Sequence, residues 1–228
     1  MPTIYPLTPP PSCLLWDVDG TLIDTTTLIV DALGWTYETY FNRNLSRDER
    51  RAIIGTPLKA QIRIFGEPEE FGLEPQVVMD GFIHYYEENR HRETILTEVI
   101  QVLIDGKRRG YPTALITSKN IPELENTLPR LGIAPYVDFI VSADHVTKPK
   151  PDSEGMRLAV SHFGLSVEQI ANAVYIGDTT HDIQAGNGGG VRSVGVTWGA
   201  ATPERLLAEN PAALVNTPQE LRRLLLGE

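Results

Sequence analysis

Asp17 and Asp19 stand two residues apart at the end of a short apolar run, Ser12–Trp16, with Gly20 directly after them. Along an extended segment, side chains two apart project to the same side, and the glycine lets the backbone turn sharply beyond them. A second acidic pair, Asp178 and Asp182, is spaced by one helical turn behind Gly177. Four carboxylates gathered within about 5 Å would repel by roughly 3 kcal/mol per pair at an effective dielectric near 20, so such a cluster calls for a cation. Oxygen donors without a His or Cys cluster favour Mg²⁺ over zinc. An aspartate held against Mg²⁺ stays ionised and can act as a nucleophile toward phosphorus. A neighbouring carboxyl can take up a proton and serve as general acid, then as base. Lys148 offers the positive charge that a phosphoryl dianion needs. Thr117 and the backbone N–H groups after it offer hydrogen bonds to phosphate oxygens.

These residues need strand ends to carry them. Ser12–Trp16, Tyr111–Ile116, Val137–Ser142, Ala173–Ile176 and Ser193–Val196 have the composition of buried strands. Helical patterns separate them: one opens at Thr97 and ends in Lys107, Arg108, Arg109 and Gly110, and others cover Pro122–Leu131 and Pro151–Phe163. A helix is expected from about His181 and should end before Gly188-Gly189-Gly190. Thr217-Pro218-Gln219-Glu220 reads as a capping box for a terminal helix. Strand–helix alternation builds a parallel sheet covered on both faces, the α/β class. The segment from Asp24 to Glu93 differs: it shows only helical patterns, including the Ser46–Glu49 capping box, Pro57 at a first turn and a long pattern over Pro75–Arg92. The expected organisation is an α/β core formed by residues 12–23 and 97–228, with an all-helical cap of residues 24–96 inserted after the first strand. The linkers near Ile23–Thr25 and Glu93–Leu96 would serve as hinges. Trp35, Tyr37, Tyr40, Phe41, Tyr85 and Tyr86 are expected in the core of that cap.

In open parallel sheets, ligands bind beyond the carboxyl ends of the strands. Four segments meet there: Asp17-Val18-Asp19-Gly20-Thr21-Leu22, Thr117-Ser118-Lys119, Lys148-Pro149-Lys150-Pro151 and Gly177-Asp178-Thr179-Thr180-His181-Asp182. In this order they resemble the four motifs of the haloacid dehalogenase superfamily of phosphatases. The resemblance implies a Rossmann-like core, a helical cap and hydrolysis through an aspartyl-phosphate. Carried over by position, Asp17 would be the nucleophile and Asp19 the general acid/base. Mg²⁺ would be held by the Asp17 side chain, the Asp19 backbone carbonyl and Asp178, with Asp182 in support. Thr117 and Lys148 would hold the phosphoryl group, with Gly20, Thr21, Ser118 and Lys119 as further substrate contacts. The superfamily's dehalogenases lack the second aspartate, so Asp19 argues for phosphate chemistry. Gly55-Thr56-Pro57-Leu58 and Gly195-Val196-Thr197-Trp198-Gly199 are similar to the phosphoglycolate phosphatase-like branch. A small phosphorylated metabolite of the phosphoglycolate type is the expected substrate. A sugar phosphomutase or pyrophosphatase of the same superfamily is an alternative; so is a non-catalytic phospho-acceptor module. The mutase branch usually carries an arginine in the cap loop, where Lys59 is the nearest cation here.

Composition narrows the setting. The chain has 228 residues, 41% hydrophobic and 22% charged, with a net charge of −10. That balance argues against general nucleic-acid binding. No stretch resembles a basic amphipathic helix, and no apolar run approaches the roughly 18 residues needed to span a bilayer. The proline-rich segment Met1–Leu15 has no Lys or Arg and does not read as a secretory signal, so a cytoplasmic protein is expected. Cys13 is the single cysteine, which excludes an intrachain disulfide and is consistent with a small buried core residue.

Overall fold

A computed structural model describes residues 4–228; the first three residues of the proline-rich N-terminal stretch lie outside it. Leu14-Leu15-Trp16 forms the first strand, β1 (Leu14–Trp16), and all three side chains are buried. A continuous apolar run of this kind suits a strand covered on both faces. Leu14 and Trp16 enter one hydrophobic cluster with Leu103 and Leu225, and Leu15 enters another with Ala114, Met156 and Tyr175.

Two residues after a sharp turn make β2 (Ile23–Asp24), and the helices α1 (Thr26–Phe41), α2 (Arg47–Ala52), α3 (Leu58–Gln61) and α4 (Pro75–Glu88) follow. The chain returns through β3 (Thr94–Ile95), which pairs antiparallel with β2. The remainder alternates: α5 (Thr97–Arg108), β4 (Thr113–Ile116), α6 (Ile121–Leu131), β5 (Phe139–Val141), α7 (Glu154–His162), α8 (Val167–Asn172), β6 (Val174–Gly177) and α9 (Thr180–Gly188). It closes with β7 (Arg192–Val196), α10 (Pro203–Ala208), β8 (Ala213–Val215) and α11 (Pro218–Leu226). The six-stranded sheet has the order β5-β4-β1-β6-β7-β8, and every pair is parallel. This is the α/β architecture that the alternation predicts. β1 lies at its centre between β4 and β6, where strand order switches direction, and the loops after these three strands share one crevice.

Local chemistry fixes several boundaries. The Ser46 hydroxyl accepts from Glu49 N, and the Glu49 carboxylate accepts from Ser46 N at 2.8 Å, a complete capping box. At α11 the reciprocal half is missing, because the Glu220 carboxylate accepts from Asn216 N instead. The glycine run behind α9 stops that helix at Gly188, one residue later than expected. α1 and α4 carry a hydrophobic cluster of their own, built from Leu28, Leu33, Tyr37, Phe41, Val78 and Phe82. Within it the Tyr37 hydroxyl donates to Gln61 O at 2.7 Å. Trp35 and Tyr85 stack on one another with ring centres 5.3 Å apart.

Leu115 is fully buried within β4, paired with Trp16 of β1 on one side and Ile140 of β5 on the other. Leu115→Ala is expected to lower unfolding stability by about 2–5 kcal/mol in urea titration, through lost burial and the cavity left behind. A change below about 1 kcal/mol would contradict a close-packed sheet core here.

Candidate active site

Asp17 follows β1 directly, and its backbone N–H donates to Ile176 O of β6, so the strand pairing itself sets the carboxylate's position. Asp178 follows β6 in the same way. Asp17, Asp178 and Asp182 are all buried, and oxygens from the three lie within 4.8 Å of one another. The turn after Asp19 brings Thr21 between two of them, 3.4 Å from Asp17 Oδ2 and 3.3 Å from Asp178 Oδ1. Two glycines make room. Gly20 has a φ of +80°, and a Cβ there would stand 2.2 Å from Asp178 Oδ2; at Gly199 it would stand 2.1 Å away.

Lys150 supplies the counter-charge. Its buried ammonium donates to Asp17 Oδ1 at 2.6 Å, Asp182 Oδ1 at 2.7 Å and the Tyr175 hydroxyl at 3.1 Å. Three donors meet three acceptors, which satisfies the group completely. Burial pulls its pKa down, but the carboxylates of Asp17 and Asp182 raise it well above the ordinary lysine value. Lys148, expected in this role, is solvent-exposed instead. The cause is local: the Glu154 carboxylate accepts from Thr147 N, the Thr147 hydroxyl and Lys148 N, and so ties that part of the loop to the start of α7. The lysine two residues later then reaches inward.

Asp182 is positioned for a different task from Asp17 and Asp178. Its Oδ2 accepts from Thr179 N and Oγ1 and closes a capping box on α9, while Oδ1 accepts from Lys150 and Tyr175. Burial opposes ionisation, yet Lys150 and these hydrogen bonds hold its pKa below the usual carboxylate range. With both oxygens engaged, it anchors Lys150. Tyr175 had no signal in the sequence beyond its place in a strand. The Asp17 carboxyl is pushed up to about 7 by burial, against the pull of Lys150, with Asp182 and Asp19 adding to the rise. Asp178 is raised well above its ordinary value by burial and then by Asp17 and Asp182.

A divalent cation fits this donor set. Asp17 and Asp178 are buried oxygen donors whose mutual repulsion Lys150 alone does not remove, and glycines keep the space beside Asp178 open. The two could hold a hard cation such as Mg²⁺, with Asp182 behind them.

The other expected residues stand around this array. Asp19 points toward the cleft, and the Lys119 ammonium lies 3.1 Å from its Oδ1. Thr117 is buried at the end of β4, where its hydroxyl accepts from Lys119 N at 3.2 Å. The Ser118 hydroxyl donates across to Gly55 O at 3.1 Å, linking this loop to the helical segment. Arg51 of α2 makes a second link, donating to Gly199 O and Ala200 O at 3.2 Å each, and Ala200 N donates in turn to Asp178 Oδ2 at 2.6 Å. Trp198 packs a strand end, its indole N–H donating to Thr21 O at 3.3 Å. Between the helical segment and the sheet lies a cleft of about 520 Å³, lined at its floor by Asp17, Asp19, Lys150 and Asp182.

Residues 14–196 match the family model described as haloacid dehalogenase-like hydrolase. The chain belongs to that family. The protein named "Probable phosphatase IndB" from Dickeya dadantii is 32% identical over 216 residues, covering 91% of this chain and 90% of its own. Pyrophosphatase PpaX from Bacillus velezensis is 30% identical over 215 residues, covering 92% and 94%. A solved structure of a predicted phosphoglycolate phosphatase from Haemophilus somnus shares the fold, with a TM-score of 0.77, 20% identity and coverage of 92% and 96%. The chain is therefore a haloacid dehalogenase-like enzyme. Among the described residues, no helix is long and apolar enough to cross a membrane.

Lys150→Met is expected to lower turnover of p-nitrophenyl phosphate on the order of 10²–10³-fold, whereas Lys148→Met should leave it within about twofold. Equal losses in the two variants would reverse the assignment. In metal-free protein, ionising Asp17 costs folding free energy as pH climbs from 3.8, its ordinary value, through about 7, so stability should fall across that window. Added Mg²⁺ is expected to raise the melting temperature more at pH 8 than at pH 5, and Asp178→Asn should abolish the gain. A metal response that is independent of pH would argue against this cluster.

Proposed function

We propose that the protein is a Mg²⁺-dependent phosphatase that hydrolyses a phosphomonoester of a small metabolite through an aspartyl-phosphate on Asp17. The observation that carries this reading is the single buried array of Asp17, Lys150, Asp182 and Asp178 at the switch point of the sheet. Family membership supports it, as does the chemistry named for the relatives.

The Asp17 carboxylate attacks phosphorus while the ester P–O bond breaks, and Asp19 delivers a proton to the departing oxygen. Asp19 then takes a proton from a water molecule, whose oxygen attacks phosphorus and releases phosphate, restoring Asp17. Lys150 fixes the orientation of the nucleophile and neutralises charge beside it. Thr117 and the N–H groups of its loop would donate to phosphoryl oxygens. A bound divalent cation would supply electrostatic neutralisation of the phosphoryl oxygens. The helical segment would exclude bulk water, and the paired strands β2 and β3 would carry its movement. A second reading, hydrolysis of inorganic pyrophosphate, is favoured by the name of the PpaX relatives.

Asp17→Asn is expected to lower kcat on p-nitrophenyl phosphate at least roughly 10³-fold. Asp19→Asn should lower it by roughly 10²–10⁴-fold, with a smaller loss for esters whose leaving group needs no proton. Near-normal turnover by Asp17→Asn would overturn the nucleophile assignment.

A further inference from the structure

The cleft changes character away from the carboxylates. α4 turns one face toward it, with Met79 and Ile83 one turn apart and Phe82 beside them. Ile29, Ile54 and Leu58 complete the wall from α1, the loop before α3 and α3 itself. Ile83 is 38% exposed, an apolar side chain left facing the cleft rather than the cap core. A volume of about 520 Å³ falls within the ~300–1,000 Å³ typical of organic-ligand sites.

Charge decides what this end of the cleft can accept. Four cations line the cleft as a whole, and three are already committed to carboxylates: Lys150 to Asp17 and Asp182, Lys119 to Asp19, and Arg90 to Glu87. The fourth, Lys59, is solvent-exposed. Glu123 and Asp144 add further negative charge to the lining. A second phosphoryl group, or a carboxylate on the leaving group, would find an apolar wall, added carboxylates and one cation unpaired among the described residues, the solvent-exposed Lys59.

We infer that the leaving group is an uncharged organic moiety with an apolar face, seated against Met79, Phe82, Ile83 and Leu58, so that the enzyme favours such phosphomonoesters over pyrophosphate and phosphoglycolate. This rests on the phosphatase reading above. The wall contributes affinity by removing apolar surface from water, while the reacting phosphoryl group is held at the opposite end by the carboxylate–lysine array.

The test compares kcat/KM for 1-naphthyl phosphate, 2-phosphoglycolate and inorganic pyrophosphate, with Mg²⁺ present. The wild-type enzyme is expected to favour the naphthyl ester by about tenfold or more over either competitor. Ile83→Lys places a cation on the wall and should lower the naphthyl-to-pyrophosphate ratio at least about tenfold, whereas Ile83→Leu should preserve it. Val77→Lys, on an exposed position of the same helix outside the cleft lining, should preserve it as well and so controls for folding and net charge. A wild-type preference for pyrophosphate or phosphoglycolate, or an unchanged ratio in Ile83→Lys, would overturn this inference alone. Absence of turnover on all three compounds and on p-nitrophenyl phosphate would overturn the phosphatase reading and this inference with it.

Discussion

A single ammonium group, Lys150 Nζ, makes the active centre possible. Three buried carboxylates stand close enough to share an ion, and in a low-dielectric setting their repulsion would otherwise force protonation or open the sheet. Lys150 satisfies two of them directly and reaches the third only through space. The result is a graded set: Lys150 and hydrogen bonds draw the Asp182 pKa below the usual carboxylate range, burial pushes Asp17 up to about 7, and burial with the neighbouring carboxylates raises Asp178 well above its ordinary value. Titrations this closely coupled belong to the group as a whole. The unequal environments give three chemically identical side chains three different proton affinities.

Much of this arrangement was legible because strand ends are easy to read. The apolar run at Leu14–Trp16 ends in an acidic pair, and Gly177-Asp178 repeats the pattern on the neighbouring strand. What was not legible depended on contacts rather than spacing. Lys148 and Lys150 flank one proline and look equivalent in the sequence; only the grip of Glu154 on the Thr147–Lys148 backbone, and Tyr175 rising from β6, decide between them. Asp182 reads from its spacing as a metal ligand, and the structure also makes it the N3 residue of a capping box on α9 and a partner of Lys150, which spacing alone does not show. β2, β3 and β8 have two or three residues each, too short to show a period.

The helical segment is bound to this chemistry by polar contacts at its lower rim. Ser118 reaches Gly55, and Arg51 holds the Gly199–Ala200 peptide that also donates to Asp178. The seating of α2 and the orientation of the Asp178 carboxylate therefore share one short stretch of backbone. The apolar wall above is supplied largely by α4, whose Phe82 and Met79 also pack into the cluster around Tyr37 and Phe41. One helix thus separates a closed hydrophobic core from an open one.

The pairing of Ile23 with Ile95 means that the chain leaves the sheet domain and re-enters it at nearly one point. To the core, everything in between resembles a long loop whose ends are already joined. Loop closure costs little more as such a loop lengthens, so residues there can be added, removed or replaced without shifting a strand. The architecture therefore keeps the acidic array on the sheet and the apolar wall on the inserted helices, two pieces of polypeptide that touch through the Ser118–Gly55 and Arg51–Gly199 contacts.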